Sequence, residues 1–521
     1  MNRFYTIIKG DYLQRTRSYA FLITIALGVY IAYTFVPPPD AGYTTVSIGN
    51  YVGNNNAAWI GHVTAVMTSL FLSLIGFFLI NNSIKKDIET EVGMIIAATS
   101  VSNFGYLLSK ALSTCLVLLS IMGIVFLMSI GVFFFRGEGY SFDLMSFVLP
   151  YLFVTVPGLF FIASLAVVAE VFLGRRSVIQ YILFFFLFNV IIANVKTAPD
   201  TELIQWLDPF GLKAVTMNMH EFVKTHYDAS AKGTSMGFMF SSKKVITAFT
   251  YENIKWSAAF LISRMIWIGV SMTLVFISSL FFHRFDLKEK IRTKKKKDHP
   301  ESKPALATNQ SIRLSQLPPL ASAYGIIPFI KTELLLLYRK GPHWFWIVNA
   351  GGMVALLFAP KMIAHQFILP VLWFLQVGRW SDLAAKEKMN RIHYFTYASF
   401  QPLRRLLSSQ IISGVIMALL LASPLLLRHL LYGEFPAALS IMLGALFIIS
   451  SAVCLGIVTG GKKLFEILFF LLTYGNMNRI PFMDYFGGLS QNATSLIIVS
   501  VIVTIMVSIS FVFRNYELRN A

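Results

Sequence analysis

Apolar residues run along this chain in long blocks broken by short polar intervals. The pattern has neither the two-residue period of a half-buried strand nor the one-sided stripe of a soluble helix. Blocks of about 17–25 apolar residues are long enough to cross the hydrocarbon of a bilayer as helices. Six precede residue 285, over 19–36, 58–81, 108–135, 146–173, 178–195 and 257–282. Six more follow residue 340, over 344–360, 364–379, 408–431, 435–460, 464–476 and 492–513; the second and fifth of these are short, which predicts tilt or a kink. The pattern predicts an all-α polytopic membrane protein of about twelve transmembrane helices.

Composition supports that class. Of 521 residues, 56% are hydrophobic and 13% charged, and mean hydropathy is +0.66. The formal charge of +19 invites a nucleic-acid partner, but topology accounts for most of it. With an N-terminus inside, 32 of the 44 Lys and Arg fall on the cytoplasmic side. The expectation is a multi-pass protein of the plasma (inner) membrane with both termini cytoplasmic and no nucleic-acid partner. The first apolar block is a full membrane length with no small-residue cleavage site after it, so a cleavable signal peptide is not expected. The two cysteines, Cys115 and Cys454, lie inside apolar blocks and suggest neither a disulfide framework nor a metal site.

The two sets of six blocks resemble each other. Each opens on a basic amphipathic segment suited to the headgroup plane, 5–21 and 328–344, with Lys9/Lys331, Asp11/Glu333 and Arg17/Arg339 in register. Each closes similarly, "RFDLK" at 284–288 against "NYELR" at 515–519. An even number of spans per set makes the repeat parallel and excludes an inverted one. The predicted organisation is a first six-span unit over 1–287, a basic, Pro-rich disordered cytoplasmic linker over 288–322, and a second unit over 323–521.

Two intervals are longer than turns require. Between the second and third blocks of each set, "SIKKDIETEVGMIIAATSVSNFGYLLSKAL" at 83–112 and "SDLAAKEKMNRIHYFTYASFQPLRRLLSSQI" at 381–411 mix charges with apolar residues at helical spacing. They read as amphipathic helices on the cytoplasmic face, either docking a soluble partner or anchoring the bundle. Between the fifth and sixth blocks, "WLDPFGL" and "FMDYFGG" align Asp208 with Asp484, Phe210 with Phe486 and Gly211 with Gly487, which is turn chemistry. The first set carries about fifty extra residues here, giving a loop over 196–256 long enough for an extracytoplasmic lid or partner surface.

Glu91, Gly93, Ala98, Thr99, Ser100, Val101, Ser102 and Lys110 resemble the E-x-G…A-T-P-V-S…K signature of type 2 permeases of ATP-binding cassette exporters. The resemblance implies six-span units and a coupling helix that rests on a separate cytoplasmic ATPase, here two copies on 85–105 and 386–402. It also implies short external helices at the Asp-containing turns, capping the pathway. Lys85, Asp87, Glu91, Gly93, Thr99 and Ser100 are then partner-contact candidates, with Lys388, Asn390, Ser399 and Pro402 in the second unit. Ser100 replaces the signature Pro, and Lys388 and Asn390 lie near the acidic position, which implies altered coupling. ATP and magnesium would belong to the ATPase, with no cofactor bound by this chain and an exported substrate left unidentified.

"GIVTGGKK" at 456–463 nearly matches a nucleotide-binding P-loop, but Lys463 stands where a magnesium-binding hydroxyl belongs and both flanks are apolar. Gly174-Arg175-Arg176 occupies the same place in the first unit, so the shared reading is a tight turn and a basic anchor at the inner headgroups. No catalytic or metal-binding spacing is present, and the chain is not expected to be an enzyme. An ionisable group in mid-membrane costs about 2.5–3.5 kcal/mol on insertion scales. Glu170 and Glu466 are therefore read as locally paired or solvated at span ends, and Arg264 as snorkelling. A secondary transporter of the major facilitator type also has two six-span halves, but its short Gly- and Arg-rich loop motif is missing; a non-transporting scaffold or sensor using 196–256 is the third class.

Overall fold

The apolar blocks form helices, as backbone groups in hydrocarbon require. The computed structural model describes residues 3–38, 41–137, 139–174, 177–197, 206–228, 233–240, 247–254, 256–282, 325–341, 344–489 and 491–520. The proposed linker over 288–322, the "RFDLK" segment, Arg175 and Arg176 lie outside these residues.

The chain opens with α1 (Arg3–Thr16) and α2 (Tyr19–Thr34), a hairpin β1 (Tyr43–Ile48) and β2 (Tyr51–Gly53), and α3 (Ala57–Ile80). Two short helices follow, α4 (Ser83–Glu89) and α5 (Val92–Ala97), then α6 (Asn103–Arg136), α7 (Met145–Leu173) and α8 (Ser177–Thr197). Next come α9 (Leu212–His226), β3 (Thr234–Phe240), β4 (Thr247–Phe249) and α10 (Ala258–Phe281).

The rest contains α11 (Ile327–Arg339), α12 (Trp344–Phe358), α13 (Lys361–Phe374) and α14 (Val377–Trp380), followed by α15 (Lys386–Met389) and α16 (His393–Tyr397). It ends with α17 (Leu403–Leu431), α18 (Phe435–Thr459), α19 (Lys463–Met477) and α20 (Ala493–Asn520). Among the described residues seven helices, α3, α6, α7, α10, α17, α18 and α20, are long and apolar enough to cross a membrane. They make this a membrane-embedded, mostly helical protein.

The helical scaffold carries one further element that the apolar pattern did not predict: β3-β1-β2-β4 form a small four-stranded sheet joining two segments far apart in sequence. β1 pairs antiparallel with β3, Tyr43 opposite Phe240 and Ile48 opposite Thr234, while β2 runs parallel to β4 with Val52 opposite Ala248. Gly49, at φ +58°, and Asn50 make the two-residue turn between β1 and β2. Within the loop over 196–256 the described residues include α9 and the strands β3 and β4, half of that sheet. The sheet lies at the N-terminal end of α3 and the α4–α5 connector at its C-terminal end, hereafter the sheet end and the connector end.

The core follows α3, which is buried along almost its whole length. It packs on α6, α7 and α8, and also on α19 from the later part of the chain. Along that seam Phe78 and Phe470 bring ring centroids within 3.9 Å, Phe77 and Phe184 stack at 3.9 Å, and Phe185 meets Phe374. At the sheet end Phe240 of β3 meets Phe482 edge-on. Such aromatic pairs add about 0.5–1.5 kcal/mol each beyond burial.

Candidate functional site

Two connectors carry most of the predicted site residues, and they are folded alike. In each a short helix ends at a non-glycine residue in the left-handed region, Glu91 at φ +61° and Arg391 at φ +56°, and a second short helix follows. The numbering runs in parallel, so Asp87 corresponds to Glu387, Glu91 to Arg391, Tyr106 to Leu406 and Lys110 to Gln410. Burial alternates in nearly the same order over 81–100 and 381–400. Thr99 Oγ1 donates to the Ile96 carbonyl at 2.6 Å, and Ser399 Oγ to that of Thr396 at 2.7 Å. Ser102 caps α6 by accepting the Gly105 N–H at 3.0 Å, while Pro402 stands at the corresponding place before α17.

This register changes the sequence assignment. The counterpart of Glu91 is Arg391, not Lys388 or Asn390. Lys388 pairs with Glu517 of α20, and Asn390 donates to the Lys386 carbonyl at 2.9 Å. Lys85 sits 3.9 Å from Glu89, Gly93 is buried, and Glu91 and Ser100 are exposed. The second short helix of each connector, with its N-cap in the later one, presents apolar side chains outward: Val92, Met94 and Ile95, the last 70% exposed, against the N-cap Ile392 with Tyr394 and Phe395, the last 83% exposed.

Beneath these helices the connectors are clamped differently. Lys110, 1% exposed on α6, lies 2.7 Å from Asp11 of α1 and 2.6 Å from Asp87 of α4, and the Tyr106 hydroxyl donates to Asp87 at 2.7 Å. In the second connector Lys386 pairs with Glu333 of α11, and the Gln410 amide donates to Glu387 at 2.6 Å. Arg514 of α20 donates to the Ala384 carbonyl at 2.7 Å and bonds Tyr397. Buried Glu170 of α7 is not a headgroup-solvated carboxylate: it accepts N–H bonds from Ser83 and Ile84, both at 2.7 Å, and from Lys85 at 3.2 Å, holding the first turn of α4 where a helix favours negative charge.

The "GGKK" turn is corrected too. Lys463 is half-buried and reaches across the seam to the carbonyls ending α3, Phe78 at 3.1 Å and Asn81 at 2.8 Å, instead of anchoring in headgroups. Tyr181 of α8 donates to buried Glu466 at 2.9 Å, again across the seam. Gly460 takes φ +63°, the left-handed end of α18.

Asp208 and Asp484 each head a hydrogen-bonded turn of the pattern Asp–x–Phe–Gly. The Asp208 carboxylate accepts from the Phe210 and Lys213 N–H groups at 2.9 and 2.7 Å; Asp484 accepts from Gly488 and Leu489 at 2.9 and 2.8 Å. Gly211 and Gly487 hold φ +71° and +72°, and Phe210 and Phe486 are fully buried. Each Phe packs against a glycine that sequence reasoning missed: a Cβ on Gly158 would come within 3.2 Å of Phe210, and one on Gly444 within 2.5 Å of Phe486. Arg264 does not snorkel. It is 2% exposed and donates to the Asp208 and Pro209 carbonyls at 2.6 and 3.2 Å; at the other turn His365 bonds the Phe486 carbonyl at 3.0 Å. Burial pushes the Asp208 carboxyl above the usual carboxylate range, opposed by the Arg264 charge.

Among the described residues no three His, Cys, Asp or Glu side chains gather as a metal ion requires. Compared with protein-family models, with curated proteins and with solved structures, the chain gives no significant match in any of the three.

Proposed function

We propose that this chain is the membrane-spanning permease subunit of an ATP-binding cassette exporter, built as two six-span units in tandem, with ATP and magnesium handled by a separate ATPase. In that reading α1–α10 and α11–α20 are the units. The shorter apolar helices α2, α8, α12, α13 and α19 complete the spans, and the connector end faces the cytoplasm. The observation that carries the proposal is the duplicated connector. Each ends in an exposed apolar helix clamped from beneath by buried polar groups, the form a docking element needs if it is to transmit force without bending.

The seam between α3 and α8 on one side and α13 and α19 on the other would separate as the units alternate access, moving an unidentified substrate. Co-purification of the full chain with the ATPase tests the reading. A stoichiometric complex is expected, weakened by Ile95→Asp and Phe395→Asp and uncoupled by Glu91→Lys at unchanged folding. Transport by the chain alone on an ion gradient would overturn it.

A further inference from the structure

The two connectors bury corresponding carboxylates in opposite electrostatic settings. Asp87 receives the Lys110 ammonium at 2.6 Å and the Tyr106 hydroxyl at 2.7 Å, so its charge is met by a cation and a second donor. Glu387 is 2% exposed, yet Leu406 stands in place of the tyrosine and Gln410 in place of the lysine. Its one side-chain hydrogen bond is a neutral N–H, from Gln410 Nε2 to Oε1 at 2.6 Å. Its Oε2 has no hydrogen-bond partner among the described residues, and neither has Gln410 Oε1 on the same partner.

Two acceptors left over on one buried pair have a common remedy. A proton on Oε2 turns it into a donor, and the idle amide oxygen of Gln410 is the acceptor at hand, so acid and amide satisfy each other through two bonds. An isolated buried carboxylate costs far more than its neutral acid, whereas Asp87 avoids that cost by pairing.

We propose that Glu387 and Gln410 form a proton-binding site, the proton in the second connector standing where the Lys110 ammonium stands in the first. The charged groups on neighbouring elements are already engaged. Lys386 is bonded to Glu333 of α11, Lys388 to Glu517 of α20, Arg514 of α20 to the Ala384 carbonyl and Glu517, and Asp382 to Lys340. Burial raises the Glu387 carboxyl above its ordinary value, with Lys386 the largest opposing influence. A carboxyl whose folded pKa is raised stabilises the docked connector fully at low pH, and that contribution is lost as pH rises from the unfolded value through the folded one. The device makes the second connector, and not the first, loosen with alkalinity.

The test uses the full chain in lipid nanodiscs, with hydrogen exchange followed from about pH 5 to pH 8 and protection over 386–397 divided by that over 83–97 in the same sample. Opening of 386–397 relative to 83–97 is expected to rise by up to about tenfold per pH unit until the folded pKa is passed, then level off. Glu387→Gln, which supplies a permanent neutral donor, and Gln410→Lys, which copies the first connector, should each flatten the profile. Infrared spectra should show a protonated-carboxyl band that Glu387→Gln removes. A flat wild-type ratio, a pH dependence that survives Glu387→Gln, or no band sensitive to that change would overturn the proposal.

Discussion

The connectors at 81–110 and 381–410 share a backbone plan but not an electrostatic one. Both place a left-handed residue between two short helices, and both expose apolar side chains on the second. The first is closed by one buried ammonium between Asp11 and Asp87. The second spreads the work over Lys386 with Glu333, Gln410 with Glu387, and Arg514 with the Ala384 carbonyl. One geometry can thus be kept by a concentrated charge or by dispersed neutral and ionic bonds, and the two fail differently: removing the central cation strands two carboxylates, while removing an amide strands one.

That difference can be broken by mutation. The largest effect is expected from Lys110→Met, which leaves half-buried Asp11 and buried Asp87 without their cation and should cost about 3–5 kcal/mol, read as loss of thermal stability in detergent. Gln410→Leu, at the corresponding place, should cost about 1–3 kcal/mol because Glu387 loses its one side-chain donor, and less at low pH, where a protonated acid is retained more cheaply. An equal loss from both would show that the clamps are not distinct. The paired turns sharpen the comparison. Gly444→Ala forces a Cβ within 2.5 Å of Phe486 and should destabilise by about 1–3 kcal/mol. Gly158→Ala meets Phe210 only at 3.2 Å and should cost less, since alanine in a helix returns about 0.5–1 kcal/mol. The smallest stability effect belongs to Ile95→Asp and Phe395→Asp, within about 0.5 kcal/mol of wild type on these open surfaces, with partner binding as the quantity that falls.

Much of the helical layout was legible in the sequence because membrane helices are written as uninterrupted apolar length. The blocks at 58–81, 146–173, 257–282 and 435–460 match α3, α7, α10 and α18 to within about two residues at each end. The turn aspartates and glycines were equally readable, since a capped turn needs those residues wherever it sits. The sheet was not: β1 with its Gly49-Asn50 turn carried a local signal, but its partner β3 is nearly two hundred residues away, and pairing at that distance leaves no local period. Lys463, Arg264 and Glu170 were misplaced for a related reason. Each looked like a charge near a span end, where headgroups are the default partner, and each instead meets backbone groups that tertiary packing alone brings near.

The sequence by itself determined where the chain is apolar for a membrane's length and where it must turn, because these follow from residue type and spacing. Tertiary structure decided which polar groups answer one another: Lys463 with the end of α3, Arg264 with the Asp208 turn, Gln410 with Glu387. Burial removes water as a partner, so every such group must find its complement in three dimensions, at separations that no local pattern records.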